Sequence, residues 1–462
     1  MQTRCPIAVI GAGFSGTMTA LHLLEQVPDR PVLLCERAPT FARGAAYSTN
    51  DPVHLLNVRA ANMSAFPDRP GHFADWVAAR GTGDEGVHET AVGTFVSRAL
   101  FGRYLSSLVS DRLGCSDGAA RLRIVPDAVV DLIPCEEGYD LVLAGGRRHR
   151  VAGAVLAIGN LLPERGRNNA YVANPWVSPF TEGLRPGEPV VIIGTGLTMV
   201  DVVTQLWASG FAGPVVAISR RGLLPHTHAL THAWPAPDIS ETERRSLARL
   251  LGRVRAEIAR ARQEGVGWQS VIDGLRPLTS RLWQGLPESE QRRFLRHLRP
   301  WWDTHRHRMA PPIGGHILAL IERGYLRLEA GRVVTMDTEC LPAQVTYRPR
   351  GGHQPIGIEA QRVINATGSS PAQAVGDPLL RRLTERGLVR LDRHRLGLEA
   401  GADLALVNAA GAVTPGLWAL GPILRGMFWE CTAVPDIRHQ AIHVANVIAA
   451  RLGTAPETRR AG

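Results

Sequence analysis

Four consecutive apolar residues, Ile7 to Ile10, run into Gly11, Gly13 and Gly16. Apolar positions then recur at helical spacing through Leu24, and a second apolar run, Val32 to Cys35, ends at Glu36. The pattern predicts strand, glycine turn, helix, strand and acid. Gly11 permits the tight turn, Gly13 lets the backbone approach a pyrophosphate seated on the helix N-terminus, and Gly16 lets the helix pack closely on the strand. Phe14 and Ser15 fill the variable positions of the motif. Glu36 is placed to accept hydrogen bonds from a ribose.

Periodicity then fades from Arg43 to Asp68, a length of connection that is commonly functional. Helices are predicted over His72–Ala79 and Ser97–Leu113, followed by short strands up to Leu143. Val151 to Gly159 reads as a buried strand closing at a glycine. After a Pro/Gly-rich junction, Pro189 to Ile193 leads into Gly194 and Gly196, with Leu197 and Thr198 opening a helix and Met199 at the third glycine position. The strand after it, Gly213 to Ile218, ends not in an acid but in Arg220 and Arg221, which suit a 2′-phosphate. The second nucleotide is therefore expected to be NADPH.

Charged helices are predicted over Ser240–Glu264 and Glu288–Leu298, around an apolar patch from Trp268 to Trp283. His305 and His307, two apart, face differently on a helix and are not expected to share a metal. Ile313 to Leu328 reads as a helix leading to a strand, and Arg332 to Glu359 is strand-rich. Arg362 to Gly368 repeats the strand-then-glycine shape of Val151 to Gly159. Leu404 to Ala410 reads as a core strand, and a helix with Pro435 in its first turn closes the pattern near Leu452. The expected fold is α/β, with two three-layer Rossmann-like dinucleotide-binding domains, the second inserted in the first, and an added helical segment. The expected boundaries are 1–170 and 346–462 for the first domain and 171–345 for the second, with the helical insertion at about 236–325.

The length of 462 residues suits two or three domains. The net charge of +10 comes almost entirely from arginine and favours anionic ligands, but no compact basic tail or recognition helix points to nucleic acid. No apolar window suggests a secretory leader or a membrane span, so a cytoplasmic protein is expected. The six cysteines are scattered without a CxxC pair, which fits free thiols and argues against dithiol reductase chemistry. No metal-ligand cluster is visible. The oligomeric state is left open, a homo-oligomer included.

The stretches GAGFSG at Gly11–Gly16, RGAAYS at Arg43–Ser48, HLLNVRAANMSAFPD at His54–Asp68, GTGLTMVD at Gly194–Asp201, SRRGLLP at Ser219–Pro225, ALGPILRG from Ala419 and ECTAVPDIRHQA to Ala441 resemble flavoproteins with two dinucleotide-binding domains. More narrowly they are similar to the FAD/NAD(P)-binding family that includes bacterial amino-acid N-hydroxylases, one branch of which converts aspartate to nitrosuccinate. The resemblance implies FAD on the first glycine motif. Arg43, Tyr47, Asn57, Met63, Gly159, Gly421 and Pro435 would wrap it, with Gly368 the matching closure of the NADPH unit. It implies hydride transfer from NADPH, oxygen activation as a C4a-peroxyflavin, and hydroxylation of an amino acid or small amine. Asn57, Asn62, Ser64 and Arg425 are the expected polar groups around the reacting ring. Arg59 or Arg425 is placed to hold a substrate carboxylate, and His54 is a candidate acid–base group. Two other readings stay open: an FAD-dependent NAD(P)H oxidoreductase that passes electrons to another acceptor without oxygen insertion, and a flavin-binding protein without turnover.

Overall fold

Ile7–Ile10 (β1) is buried along its whole length, and Phe14–Gln26 (α1) rises directly from the glycine turn after it. Val32–Cys35 (β2) pairs parallel to β1, with Ile7 opposite Val32. Ser97 caps Arg98–Gly114 (α2) by accepting from the Leu100 N–H, as the predicted start implied. Leu122–Val125 (β3) lies beside β2, and Gly153–Leu156 (β4) lies on the other side of β1. The computed structural model describes residues 4–80, 86–115, 121–161, 170–368 and 376–453. The expected boundary near 170 thus adjoins residues 162–169, outside the described residues.

The second unit repeats this plan. Tyr171–Val172 (β5) starts it, Val190–Ile193 (β6) leads through Gly194 into Leu197–Ala208 (α3), and Val215–Ser219 (β7) pairs parallel to β6. A helical insertion follows, including Leu247–Gln263 (α4), Glu288–Arg293 (α5), a π-helical turn at Phe294–Leu298 and Arg299–Arg306 (α6). The single helix expected over 240–264 is broken at Ser246, whose side chain caps α4. Pro311–Glu322 (α7) returns the chain to Leu326–Asp337 (β8), which pairs parallel to β7. Ala343–Pro349 (β9) and Ile356–Ala360 (β10) add antiparallel strands, and Arg362–Asn365 (β11) lies parallel to β6. The return to the first unit expected at 346 therefore comes later, because three strands ending at Asn365 belong to the second sheet.

Ala405–Val407 (β12) and Val413–Ala419 (β13) complete the first sheet, and Val434–Gly453 (α8) packs on α1. The sheet orders are β12-β13-β4-β1-β2-β3 and β5-β11-β6-β7-β8-β9-β10. The two units correspond closely: β4 lies beside β1 as β11 lies beside β6, and each neighbour ends at a glycine, Gly159 and Gly368, in the left-handed region. Among the described residues no helix is long and apolar enough to cross a membrane, and all six cysteines are free.

Candidate active site

The two glycine turns are built alike. Gly11 has φ 99°, and a Cβ there would lie 2.5 Å from the Ala157 carbonyl oxygen at the end of β4. Gly194 has φ 114°, with a Cβ position 2.6 Å from the Ala366 carbonyl oxygen at the end of β11. Only glycine fits either position. A Cβ on Gly16 would lie 1.7 Å from the Gly11 carbonyl oxygen, so α1 touches the turn. Met199 takes the equivalent place in α3 and turns fully into the core of the second unit.

Gly13 and Gly196 begin α1 and α3, and neither helix has a side-chain cap. Their first N–H groups are open to an anion. Gly13 faces Gly44 across a gap without side chains: its Cβ position lies 3.4 Å from the Gly44 Cα. Around Gly196 no atom lies within 4 Å of the Cβ position. Two cradles of this shape fit two pyrophosphates. Phe14 and Ser15 are buried in the first turn of α1, and Gly421 packs against Ser15. Leu197 and Thr198 are half-buried in the first turn of α3.

Glu36 stands at the end of β2, accepting from the Ala12 N–H at 2.8 Å and the Ala38 N–H at 2.9 Å. This fixes the carboxylate and leaves acceptor capacity for a ribose. Ser219 holds the corresponding place in the second unit, hydrogen-bonded to Thr195 of the glycine turn. Arg220 and Arg221 follow it and line a cavity of about 250 Å³ with Arg296 and Arg350. None of the four has a carboxylate partner among the described residues. Sequence reading found only the adjacent pair. Arg296 and Arg350 come from distant elements, and nothing in their surroundings marks them within an arginine-rich chain.

The connection from Arg43 to Asp68 wraps the first cradle and reaches the second unit. Arg43 Nε donates to Ser106 Oγ, and Tyr47 packs edge-on against Phe101, its hydroxyl pushed up to about 12 by burial. Met63 is buried, whereas Asn62 is exposed on a short 3-10 turn. The Ser64 hydroxyl donates to the Arg69 carbonyl at 2.6 Å and accepts from the Phe66 N–H, so it holds a turn. Arg59 is engaged with the Ala229 carbonyl and the Thr231 hydroxyl. The Asn57 side-chain amide bonds to no described residue, while the Asn57 backbone carbonyl accepts from His228 Nε2 at 3.0 Å.

Asn57, Arg98, Leu197, Asp201 and Met309 line a narrow gap between the units. Arg98 of α2 bonds Asp201 of α3 at 2.7 Å, an ion pair that joins the two domains. His54 lies beside it, with Nδ1 on Thr49 and a buried Nε2 without a hydrogen-bond partner among the described residues. Burial lowers the His54 pKa and pushes His228 down to about 4. Because the folded His228 binds its proton far below the ordinary value of 6.5, its contribution to stability is full above about pH 6.5 and is lost as pH falls toward 4. Urea midpoints at pH 7 and pH 5 should fall less for His228→Gln than for the unmodified protein.

The stretch from Gly421 to Pro435 lies under the helical insertion. Trp283 donates to the Gly426 carbonyl, and Trp283, Phe294 and Trp429 share one apolar cluster. Buried Glu430 accepts from Trp302 Nε1 at 2.8 Å and lies 3.6 Å from Arg306. Burial opposes its ionisation, but His307, Arg306 and the Trp302 N–H outweigh burial and hold the carboxyl below its usual range. Arg276 grips Asp436 with two hydrogen bonds, and Arg299 pairs with Asp303. That leaves Arg425 as the cation in this group without a carboxylate among the described residues. Its buried Nε has no hydrogen-bond partner among the described residues, and its guanidinium lies 4.7 Å over the Trp429 ring. Trp429 has φ 49°, a strained setting of the kind that clusters at functional sites, and its indole N–H also lacks a hydrogen-bond partner among the described residues. Pro435 occupies the first turn of α8. Sequence reading singled out Arg425 but not Glu430, Arg306 or Trp302, whose meeting depends on the insertion.

Residues 8–161 match the FAD-NAD(P)-binding family. No curated protein matches the sequence. Among solved structures, the fold is similar to an ornithine N-hydroxylase from Kutzneria sp., solved with reduced FAD, NADP+ and L-ornithine, at TM-score 0.63 and 12% identity over 97% of this chain and 99% of that one. It is equally similar to L-lysine 6-monooxygenase from Pseudomonas syringae, at TM-score 0.63 and 15% identity over the same shares. Thioredoxin reductase from T. acidophilum follows at TM-score 0.52 and 11% identity, also over 97% and 99%. The chain thus has the two-domain fold of dinucleotide-binding flavoproteins, resembling bacterial amino-acid N-hydroxylases, and its N-terminal portion matches the FAD-NAD(P)-binding family.

Proposed function

We propose that this protein is an NADPH-dependent FAD monooxygenase that hydroxylates the nitrogen of a small carboxylate-bearing amine. The observation that carries this reading is Arg425. Among the described residues its guanidinium makes no ion pair with a carboxylate, its buried Nε has no hydrogen-bond partner, and it stands on the segment that packs against the first glycine cradle through Gly421.

The first cradle fits FAD. The α1 N-terminus and the Gly13–Gly44 gap would hold its pyrophosphate, and Glu36 its ribose. The second fits NADPH, with Gly196 open to the pyrophosphate and the arginine cavity taking the 2′-phosphate. Bound flavin supplies the redox and oxygen chemistry. The protein's part is to orient and to exclude water. Arg425 would pair with the substrate carboxylate and so fix where the amine points. Asn57, with its free amide at the interdomain gap, can donate to or accept from the reacting groups. The insertion, seated through Trp283 and Trp302, covers this region. Cys431, beside Gly421, is not poised as a thiolate: it is buried, donates to the Gly421 carbonyl, and has its pKa pushed up to about 12.

Product analysis across a panel of small amines and amino acids tests the reading. NADPH use that rises with one amine should yield its N-hydroxylated product. NADPH use that gives only hydrogen peroxide across the panel, with efficient transfer to an artificial electron acceptor, would favour the oxidoreductase alternative.

A further inference from the structure

The cavity lined by Arg220, Arg221, Arg296 and Arg350 draws on three separate parts of the chain. Arg220 and Arg221 follow β7, and Arg350 lies at the turn between β9 and β10. Arg296 alone comes from the helical insertion, on the π-helical turn Phe294–Leu298. Such turns recur at functional sites.

That same turn reaches the other side of the insertion. Phe294 packs edge-on against Trp429 with ring centroids 5.1 Å apart, and Trp429 lies under the Arg425 guanidinium. Arg221 helps hold the turn, donating to the His297 carbonyl at 3.3 Å. One short turn therefore carries a cation into the phosphate cavity and an aromatic ring onto the platform of the anion site.

We propose that Arg296 is a specificity-determining residue for the coenzyme's 2′-phosphate, and that through Phe294 and Trp429 it makes the Arg425 site responsive to that phosphate. The proposal rests on the NADPH reading. Without an anion, four like charges repel one another, and Arg296 is pushed away from the arginines of the second unit. A dianionic phosphate reverses the sign of the force and draws the insertion inward. Phe294 is then pressed onto Trp429, and the segment bearing Arg425 is held in place. A coenzyme lacking the 2′-phosphate would seat its nicotinamide without this tightening.

The experiment uses the flavin-loaded protein with 2′,5′-ADP and 5′-AMP as probes, reading affinity by calorimetry and backbone hydrogen exchange over residues 425–431. The wild type should bind 2′,5′-ADP at least about 10-fold more tightly than 5′-AMP, the scale of added charge-assisted hydrogen bonds. Only 2′,5′-ADP should slow exchange over 425–431. Arg296→Ala should lose most of the preference and the slowing, even at saturating probe. Arg220→Ala should weaken binding but keep the slowing at saturation, and Phe294→Leu should keep the affinity and lose the slowing. Equal affinity of the wild type for the two probes overturns the NADPH reading and the proposal with it. A clear preference for 2′,5′-ADP that Arg296→Ala leaves intact, or slowing over 425–431 that survives either Arg296→Ala or Phe294→Leu, overturns the proposal and leaves the NADPH reading standing.

Discussion

Gly13→Ala should give a folded protein that purifies with little or no flavin. The position has φ −75°, which any residue adopts, and the new methyl would meet the Gly44 backbone, Cα at 3.4 Å and N at 3.8 Å, both ordinary contacts. The cost to the apoprotein should be no more than about 1 kcal/mol, the scale of exchanging residues at a helix N-cap. The same methyl occupies the gap through which a pyrophosphate would reach the α1 N–H groups. Overpacking of about 1–3 kcal/mol corresponds to about 5–150-fold weaker FAD binding. Gly196→Ala is the matched control, because its methyl meets no atom within 4 Å. It should retain flavin and lose NADPH. Flavin content, apoprotein melting and NADPH titration read all three. A Gly13→Ala protein with full flavin occupancy would disprove the placement of FAD on the first cradle.

Glu430→Ala should produce the largest loss of stability among single changes outside the glycine turns. Its carboxylate is buried, accepts from the Trp302 indole and faces Arg306, itself largely enclosed. Removing one member of a buried charge pair leaves the other uncompensated and costs about 3–5 kcal/mol. Urea denaturation of the flavin-loaded protein should show that loss, together with weaker flavin retention, since the insertion would be left held to the 421–438 segment by contacts such as Trp283–Gly426 and Arg276–Asp436 and by the apolar cluster around Trp429. Glu430→Gln keeps an acceptor for Trp302 and should recover part of the stability. Because the folded carboxyl is held below its ordinary pKa of 4.5, the stability it supplies is present above about pH 4.5 and is lost as pH falls through the depressed value. A loss below about 1 kcal/mol for Glu430→Ala would show that the cluster is not what holds the insertion down.

What was legible in the chain, and what was not, follows the range of the forces involved. Gly11, Gly16 and Gly194 were readable because a turn between strand and helix is a local demand, met within a few residues. The pairing of Val151–Gly159 with the first motif and Arg362–Gly368 with the second was readable because the same strand-then-glycine shape recurs. Ser64 and Asn62 could be proposed as ring-facing groups on residue type alone. Their fate depended on a hydroxyl finding the Arg69 carbonyl and on which way a 3-10 turn faced. Arg59 and Arg425 looked alike in sequence, but only the first found carbonyl and hydroxyl partners in the 229–231 segment. Arg296, Arg350 and Glu430 needed the tertiary fold, since their partners lie on elements far away in sequence.

The nesting of one unit inside the other sets the order in which the chain can be assembled. β4 is flanked in the finished sheet by β1, made at the start, and by β13, which begins at Val413. At about 5–20 residues per second on the ribosome, β4, complete at Leu156, waits roughly 13–50 s for β13 to begin at Val413. The second sheet has all its strands by Asn365 and can close sooner. During that interval β4, buried on completion, has one edge uncovered. A nascent chain would therefore hold a finished second unit before its first, which makes the late-made C-terminal strands the step that completes the first unit.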